Sequence, residues 1–380
     1  MKYKSLQFLT RRRVEAVLFL IIFLGTFSFI GGRMGLPNML NTIMQTAYSL
    51  LIDTVFYIMA ITVLSGALGK LLTEFGVVRL LEVILKPLMR PLYNLPGVAA
   101  LGSLLTFLSD NPAIISLAKD HNFSQYFKKY QLISLTNFGT SFGMGLVVIV
   151  FMAGRGFGAA AAVGLMGAVI GSIISTRLMQ RFTIKQFPEL ETEQADGGNE
   201  QMISFKTEGS VFLRGLNAIL DGGKTGVDLG LTIIPGVLII STFVMILTFG
   251  ASAEGFTGGA YEGIALLPYL ANKVNFVFVW LFGFQHPELI AFPITSLGAV
   301  GAALGLIPKF QNAGLLDGNA IAVFTAMGMC WSGFLSTHTA MLDSLGYRKL
   351  TGKALLSHTI GGLFAGVSAH WIFYLFSVLF

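Results

Sequence analysis

Seven stretches of this chain stay apolar long enough to cross a bilayer, and that much unbroken hydrophobic length fits no soluble domain. They run over 14–31, 47–69, 130–152, 157–176, 225–249, 320–342 and 356–379. About 20 helical residues span the ~30 Å of hydrocarbon. Over 380 residues, 54% are hydrophobic and only 12% charged, with a mean hydropathy of +0.74. The charges sit in short clusters between the runs. The 45 glycines and 33 phenylalanines suit a membrane bundle, where small residues let helices approach closely. A pI near 9.3 would by itself suggest nucleic acid, but the basic residues lie at the ends of apolar segments, which is an orientation signal. No nucleic-acid partner is expected. The single cysteine, Cys330, excludes an internal disulfide and a multi-thiolate metal site, and no metal centre is expected.

The opening MKYKSLQFLTRRR leads into VEAVLFLIIFLGTFSFIGG, basic then apolar like a signal peptide. The apolar run is long and no A-x-A cleavage site follows it, so a retained first helix is expected. Two more apolar stretches, 96–118 and 287–308, carry Gly, Pro and polar residues near their middles and fit either spans or re-entrant hairpins. Charge chooses between them. With a cytoplasmic N-terminus and both stretches folding back, 21 of the 25 basic residues lie inside, leaving Arg33, Arg155, Lys273 and Lys309 outside. Were 96–118 to cross, the Lys119–Lys129 cluster would move outside, so the positive-inside rule favours hairpins. The expected location is a bacterial inner membrane, multi-pass.

The two halves also repeat. Pro96 and Pro287 are 191 residues apart (287 − 96), and the same offset sets Ser141 of YQLISLTNFGTSFG beside Ser332 of IAVFTAMGMCWSGF. Each unit reads as a helix, an amphipathic connection, a hairpin and two further helices. Three spans per unit, an odd number, make the copies antiparallel. The expected fold is therefore an all-α integral membrane protein, an inverted-topology repeat of helix–re-entrant hairpin–two-helix units plus one extra N-terminal transmembrane helix. Its divisions are a tail and first helix (1–40), a first repeat (41–184), a polar cytoplasmic linker (185–209) and a second repeat (210–380). Asp53 in LLIDTVFYIMAITVL aligns with Asp228 in TGVDLGLTIIPGVLI at an offset of 175 (228 − 53).

Broken helices survive in a bilayer only when buried in protein or lining a wet cavity, so hairpin tips are where free N–H and C=O groups meet a ligand. From Pro96, at ~1.5 Å per residue, Asp110 lies about 21 Å along the chain, near the bilayer centre. Ser109, Asp110, Asn111 and Pro112 place a carboxylate, an amide and a helix breaker in four positions. They fit a substrate or ion site, or a tight turn capping the return helix. On the next helix Asn137, Thr140 and Ser141 are i, i+3 and i+4 and share a face, suited to a polar solute or to interhelical hydrogen bonds. The matching face holds Gly328, Trp331 and Ser332; Trp331 would stack on a planar ligand or simply pack. Thr295 and Ser296 lie in the second hairpin, where Gly298 and Gly301 allow close backbone approach. Gln285, His286 and Glu288 form a candidate outer gate or an interfacial anchor. Asp53, Asp110 and Asp228 are the ion-coupling candidates, since a carboxylate withdrawn from water can hold a proton or coordinate sodium. His338, His358 and His370 lack metal-ligand spacing. Gly222-Gly223-Lys224-Thr225 resembles the end of a phosphate loop, but Ala218 stands where its first glycine should be. Gly167-x-x-x-Gly171 and Gly362-x-x-x-Gly366 are close-packing motifs.

Gly223-Lys224-Thr225-Gly226-Val227-Asp228 leading into TIIPG, and the Asn111-Pro112-Ala113 tip, resemble the nucleoside-recognition or Gate-domain membrane proteins. These are relatives of the concentrative nucleoside transporters, the gate regions of ferrous-iron transporter B and the spore-maturation membrane proteins. The resemblance covers nearly the whole chain as two gate units and implies hairpin tips meeting near the membrane centre. The chain lacks the Cys of iron-type tips, and Glu288 is the only acidic residue of its second hairpin region, features that set it apart from an iron route and from a strict nucleoside pocket.

The leading expectation is a secondary transporter or permease, not an enzyme, moving a small polar, nucleoside-like solute by alternating access. It would use no cofactor beyond a coupling Na+ or H+, with the lipid bilayer and a homo-oligomeric partner as its surroundings. One rival is a non-transporting scaffold or subunit of an envelope complex. The other is an intramembrane enzyme on lipid or envelope precursors, which would need a pair such as Ser336 and His338, two residues apart and so turned different ways on a helix.

Overall fold

Inside hydrocarbon a chain must satisfy its own backbone, and every long element here is helical. The computed structural model describes residues 11–195 and 210–379. Lys2, Lys4, Lys206 and linker positions 196–209 lie outside the described residues. Among the described residues, seven helices are long and apolar enough to span: Arg11–Met34, Leu36–Glu74, Lys129–Gly154, Gly158–Gln186, Val211–Thr248, Gly318–Ser344 and Arg348–Leu379. Each overlaps one of the seven expected stretches. The protein is a multi-pass, all-helical membrane protein.

Helix α1 (Arg11–Met34) buries only Ile30 and Met34 and offers the rest of its length to lipid. Gly35, at φ 82, turns the chain into α2 (Leu36–Ser49), which runs through a π-helical segment, Leu50–Val55, into α3 (Phe56–Glu74). Helix α4 (Val77–Leu88) buries Val78 and Glu82 and exposes Leu80, Val83, Ile84 and Leu88, as an interfacial helix does. The expected first hairpin follows as α5 (Ala99–Leu108) and α6 (Pro112–Lys119). After the short α7 (His121–Ser124) come α8 (Lys129–Thr140), a break, α9 (Gly145–Gly154) and the 29-residue α10 (Gly158–Gln186). The same order then recurs. Helix α11 (Val211–Thr232) passes through a second π-helical segment, Gly236–Ser241, into α12 (Thr242–Thr248). Two connecting helices, α13 (Leu266–Asn272) and α14 (Asn275–Phe282), lead to the hairpin α15 (Ala291–Ser296) and α16 (Val300–Leu304). The chain bends by 74° between Asn275–Phe282 and Pro287–Ser296. Helices α17 (Ile307–Asn312) and α18 (Gly318–Cys330), a second break, α19 (Phe334–Ser344) and the 29-residue α20 (Thr351–Leu379) complete it.

Glycine sets the helix pairing. Along α3 and α11, a Cβ at Gly222 would lie 2.7 Å from the Ala67 Cα, and one at Gly230 2.7 Å from the Met59 Cγ. Thr62 Oγ1 donates to the Gly226 carbonyl at 2.7 Å across this seam. The two π-helical segments touch each other. Matched to one another they give an offset of 186 (236 − 50), against the 175 that sets Asp53 beside Asp228. Helix α10 packs on α20 through Gly167 and Gly171 against Ala365, as the small-residue motif implies. Its partner face is Gly361, Ala365 and Ala369; the expected Gly362 and Gly366 instead make room on α18 for Trp331 and Met327.

A loop, 249–265, covers the ends of α2 and α12. Its Tyr261 amide donates to Thr46 Oγ1 at 2.8 Å. Its Glu262 is buried and accepts from Thr257 Oγ1 at 2.6 Å and from the Thr257 and Gly258 amides at 3.0 Å. Burial pushes this carboxyl up, but the bonds together outweigh it and hold the pKa below its ordinary value of 4.5. A lowered carboxyl stabilises the fold above its unfolded pKa and loses that contribution as pH falls through the folded one.

Two outcomes follow from this packing. Gly222→Ala should force α3 and α11 apart, cost roughly 1–3 kcal/mol and lower the melting temperature in detergent, whereas Gly352→Ala, with nothing within 4 Å, should not. In a melting series from pH 7 to pH 3, the wild type should lose stability toward the acid end, and Glu262→Gln should show a flatter curve from a lower starting point.

Candidate functional site

Four places where this chain stops being helical inside the bundle come together. Pro112 opens α6, so Ser109, Asp110 and Asn111 form an open tip. Asn111 is buried, and its Nδ2 donates to the Ser332 carbonyl, which the α18–α19 break leaves free of the helix ladder. The α8–α9 break lies on the other side of the same side chain, because a Cβ at Gly143 would meet the Asn111 amide, 2.9 Å from its Cγ. The second tip closes the ring, since the position of a Gly333 Cβ is 3.8 Å from the Gly298 carbonyl and 4.0 Å from Asn111 Nδ2. Each break turns through a left-handed residue, Met144 at φ 54 and Gly333 at φ 60. Helices α9 and α19 therefore point their free amides inward, and α8 and α18 their free carbonyls.

The hairpins are wedged in place. A Cβ at Gly102 would lie 2.8 Å from Ile114 Cδ1, and one at Gly139 2.6 Å from Ile114 Cβ, so α5, α6 and α8 meet on one isoleucine. Gly145 does the same for Phe107 and Met329, at 2.7 and 2.9 Å. The second hairpin rests on the π-helical segment of α11–α12, where Ser241 Oγ donates to the Ala302 carbonyl at 2.7 Å. A Cβ at Gly301 would lie 3.1 Å from Ile233 Cβ, and one at Gly298 3.2 Å from Ile240 Cδ1. These glycines seat the hairpin; the close approach expected of them is to protein.

Beside the tips runs a buried polar chain. Asn137 Nδ2 donates to Ser175 Oγ at 2.9 Å and to Ser357 Oγ at 2.8 Å. Ser175 Oγ lies 2.9 Å from His358 Nδ1, and His358 Nε2 contacts the Cys330 carbonyl. A carbonyl can only accept, so Nε2 carries the proton and Nδ1 accepts from the Ser175 hydroxyl. His338 lies tilted against His358, with ring centroids 4.5 Å apart, and is fully buried. At the first tip the buried Asp110 Oδ1 and Asn111 Oδ1 lack a partner among the described residues, as do Thr136 Oγ1 and Asn137 Oδ1 on α8 and Trp331 Nε1 at the second break. Each unmet buried group costs about 1–3 kcal/mol.

Residues 55–156 match the Gate family model, described as nucleoside recognition. That segment holds the first tip and the first break. The resemblance read from the Asn111-Pro112-Ala113 tip therefore holds there. Solved structures of the concentrative nucleoside transporter CNTnw share the fold over most of both chains. A doubly substituted CNTnw in an outward-facing state aligns at 13% identity with a TM-score of 0.54, covering 94% of this chain and 85% of that one. CNTnw in an inward-facing substrate-bound state aligns at 13% identity and 0.53, with the same coverage. Among curated proteins no sequence matches. The solved structures that share this fold are of a transporter.

The structure gathers Ser109, Asp110, Asn111, Ser141 and Ser332 at the junction of Gate tip and broken helices. Their hydroxyls are turned to nearby backbone: Ser109 Oγ donates to the Leu105 carbonyl at 2.6 Å and Ser141 Oγ to that of Asn137 at 2.8 Å. Thr140, Thr295 and Ser296 bond the carbonyls of Thr136, Ala291 and Pro293. Trp331 packs edge-on into the space over Gly362. Gln285 Nε2 donates to the Gly283 carbonyl at 3.3 Å, and the neighbouring turn is held by Asn319 to the Phe282 carbonyl and by His370 Nδ1 to Asn319 Oδ1, 2.7 Å. His286 and Glu288 are half-buried at that turn. Asp53 lies exposed in the first π-helical segment, and Asp228 exposed on α11. Ser336 is exposed while His338 is fully buried, so this pair cannot act as nucleophile and base.

The sequence does not point to Ser175 and Ser357 as partners of Asn137, nor to His358 as the partner of Ser175. They sit on helices that read as purely apolar packing, and only the i, i+3, i+4 spacing of polar residues on α8 hinted at a receiving network. Asn137→Ala should strand both serines and cost roughly 1–3 kcal/mol, seen as a lower melting temperature, whereas Thr140→Val should cost less because its hydroxyl bonds only its own helix.

Proposed function

We propose that the protein is a secondary transporter of a small polar solute, nucleoside-like in size and hydrogen-bonding character, working by alternating access. One observation carries this reading: two hairpin tips and two helix breaks converge on Asn111, with unpartnered buried oxygens on Asp110 and Asn111. Discontinuous helices of this kind are how membrane transporters expose backbone groups to a solute. The Gate match, described as nucleoside recognition, and the CNTnw fold support it. The recurring element order, with two π-helical segments, two hairpins and two broken helices each followed by a 29-residue helix, supports the inverted repeat.

In this scheme Asn111, Asp110 and the free ends of α9 and α19 bind the solute, joined by Asn137, Thr140, Ser141, Thr295, Ser296, Trp331 and Ser332 as they uncover. One hairpin opens while the other stays wedged. Gln285, His286 and Glu288 hold the turn that the outer gate swings from. Asp110, with Asp53 and Asp228 as further candidates, couples the cycle to Na+ or H+. The N-terminus is cytoplasmic, in a bacterial inner membrane.

Purified protein in liposomes should take up a labelled nucleoside or similar polar solute under a sodium or proton gradient. Asn111→Leu should abolish uptake while keeping the fold. Asp110→Asn should remove the ion dependence. Gradient-independent, tip-insensitive behaviour with a co-purifying partner would favour the scaffold.

A further inference from the structure

The elements that meet around Asn111 meet again at their far ends. Helix α6 runs from the first tip to Lys119, α8 starts at Lys129 and ends at the first break, and α19 runs from the second break to Ser344. At ~1.5 Å per residue, those far ends stand about 12–18 Å from the junction. There the chain surrounds a cavity of ≈ 360 Å³, lined by Lys119, His121 and Ser124 of α6 and α7, Lys129 of α8 and Tyr347 of the turn after α19. A second hollow of ≈ 550 Å³ shares Tyr347 and adds Phe187, Arg348 and Lys349.

Backbone bonds fix one wall of the cavity. Residues 193–195, beyond α10, are stitched to the chain that enters α8. The Lys129 amide donates to the Glu193 carbonyl and the Ala195 amide to the Phe127 carbonyl, both at 2.9 Å. Gln194 Nε2 donates to the Gln125 carbonyl at 2.8 Å. Ala195 thereby comes to line the cavity.

Tyr347 apart, every ionisable side chain lining the two hollows is basic. Lys129 Nζ is 2.5 Å from Glu193 Oε1, and Arg348 is 3.9 Å from Asp343 in an exposed pair. Lys119 and Lys349 form no ion pair among the described residues. Lys119 suits the free carbonyls that end α6. Lys129 opens α8, however, and Arg348 and Lys349 immediately precede α20, and a cation at a helix N-terminus opposes the dipole. Such a placement calls for an anion.

We propose that this basic cavity binds a phosphate group, carried either by a soluble phosphate ester or by an anionic lipid headgroup. Its cations come from separate elements, which suits a tetrahedral group with oxygens on several sides better than the flat edge of a carboxylate. The adjoining hollow, with Phe187 and Tyr347, has room for the rest of the ester. A group bound there ties the far ends of α6, α8 and α19 together. Binding is read without solute uptake, so the proposal stands apart from the transport reading.

Purified protein in a neutral detergent is melted against inorganic phosphate, adenosine monophosphate and short-chain phosphatidylglycerol, with ionic strength held constant by sodium chloride. At least one probe should raise the melting temperature saturably. Lys119 and Lys349 are exposed, so their replacement should leave the melting temperature without probe unchanged. Lys119→Gln and Lys349→Gln should each weaken that probe's apparent affinity about three- to ten-fold. Lys273→Gln, which the charge count puts at the other end of the bundle, should not. Saturation by phosphate or the nucleotide assigns the cavity to a free ester, and saturation by the lipid alone to a headgroup. Flat curves with all three probes would overturn the proposal, as would equal weakening by Lys273→Gln. Binding that survives both lysine variants but is lost in Asn111→Leu would also overturn it, by moving the ligand to the tips.

Discussion

A peptide group freed from a helix within lipid has no water to turn to, and every distinctive feature of this fold follows from that. Four interruptions release carbonyls and amides in the middle of the bundle, and they are tolerable because they face one another. Asn111 is the hinge pin of the arrangement. Its amide nitrogen reaches the Ser332 carbonyl, and its side chain fills the space that Gly143 leaves open. Hairpin arms of 10 and 8 residues are too short to be stable alone. They hold because Ile114 is shared by α5 and α8, and because Gly145 admits Phe107 and Met329.

The bundle is chemically lopsided about that junction. On the α8–α19 side lies the chain from Asn137 through Ser175 to His358, and beyond it a second layer in which Gln180 Nε2 donates to the Tyr93 carbonyl at 2.9 Å and Tyr93 bonds Ser172 at 2.8 Å. On the α9–α18 side the contacts are aromatic: Phe292 stacks on Phe324 at 4.2 Å, flanked by Phe284 and Phe310. Directional bonds fix one end of the body, and close apolar packing the other. The second hairpin, which stands there, is held to the α11–α12 seam mainly by glycine–isoleucine contact and one serine bond.

Much of this architecture is legible in the amino-acid order. The spans follow from hydrophobic length, and the Asn111-Pro112 tip from a breaker inside an apolar run. Other features are not legible there because they depend on how helices rotate against each other. The pairing of Gly167 and Gly171 with Gly361 and Ala365, one position away from the obvious motif, is of this kind. So are the two π-helical segments, Leu50–Val55 and Gly236–Ser241, which meet in the bundle.

Which segments enter lipid and where they break follow from the amino-acid order, because hydropathy, proline and glycine act locally on backbone solvation. Which broken ends meet, which hydroxyls are already bonded and which face of α11 is left bare follow from how the helices pack. Those outcomes depend on distances between residues hundreds of positions apart, and no local rule encodes them.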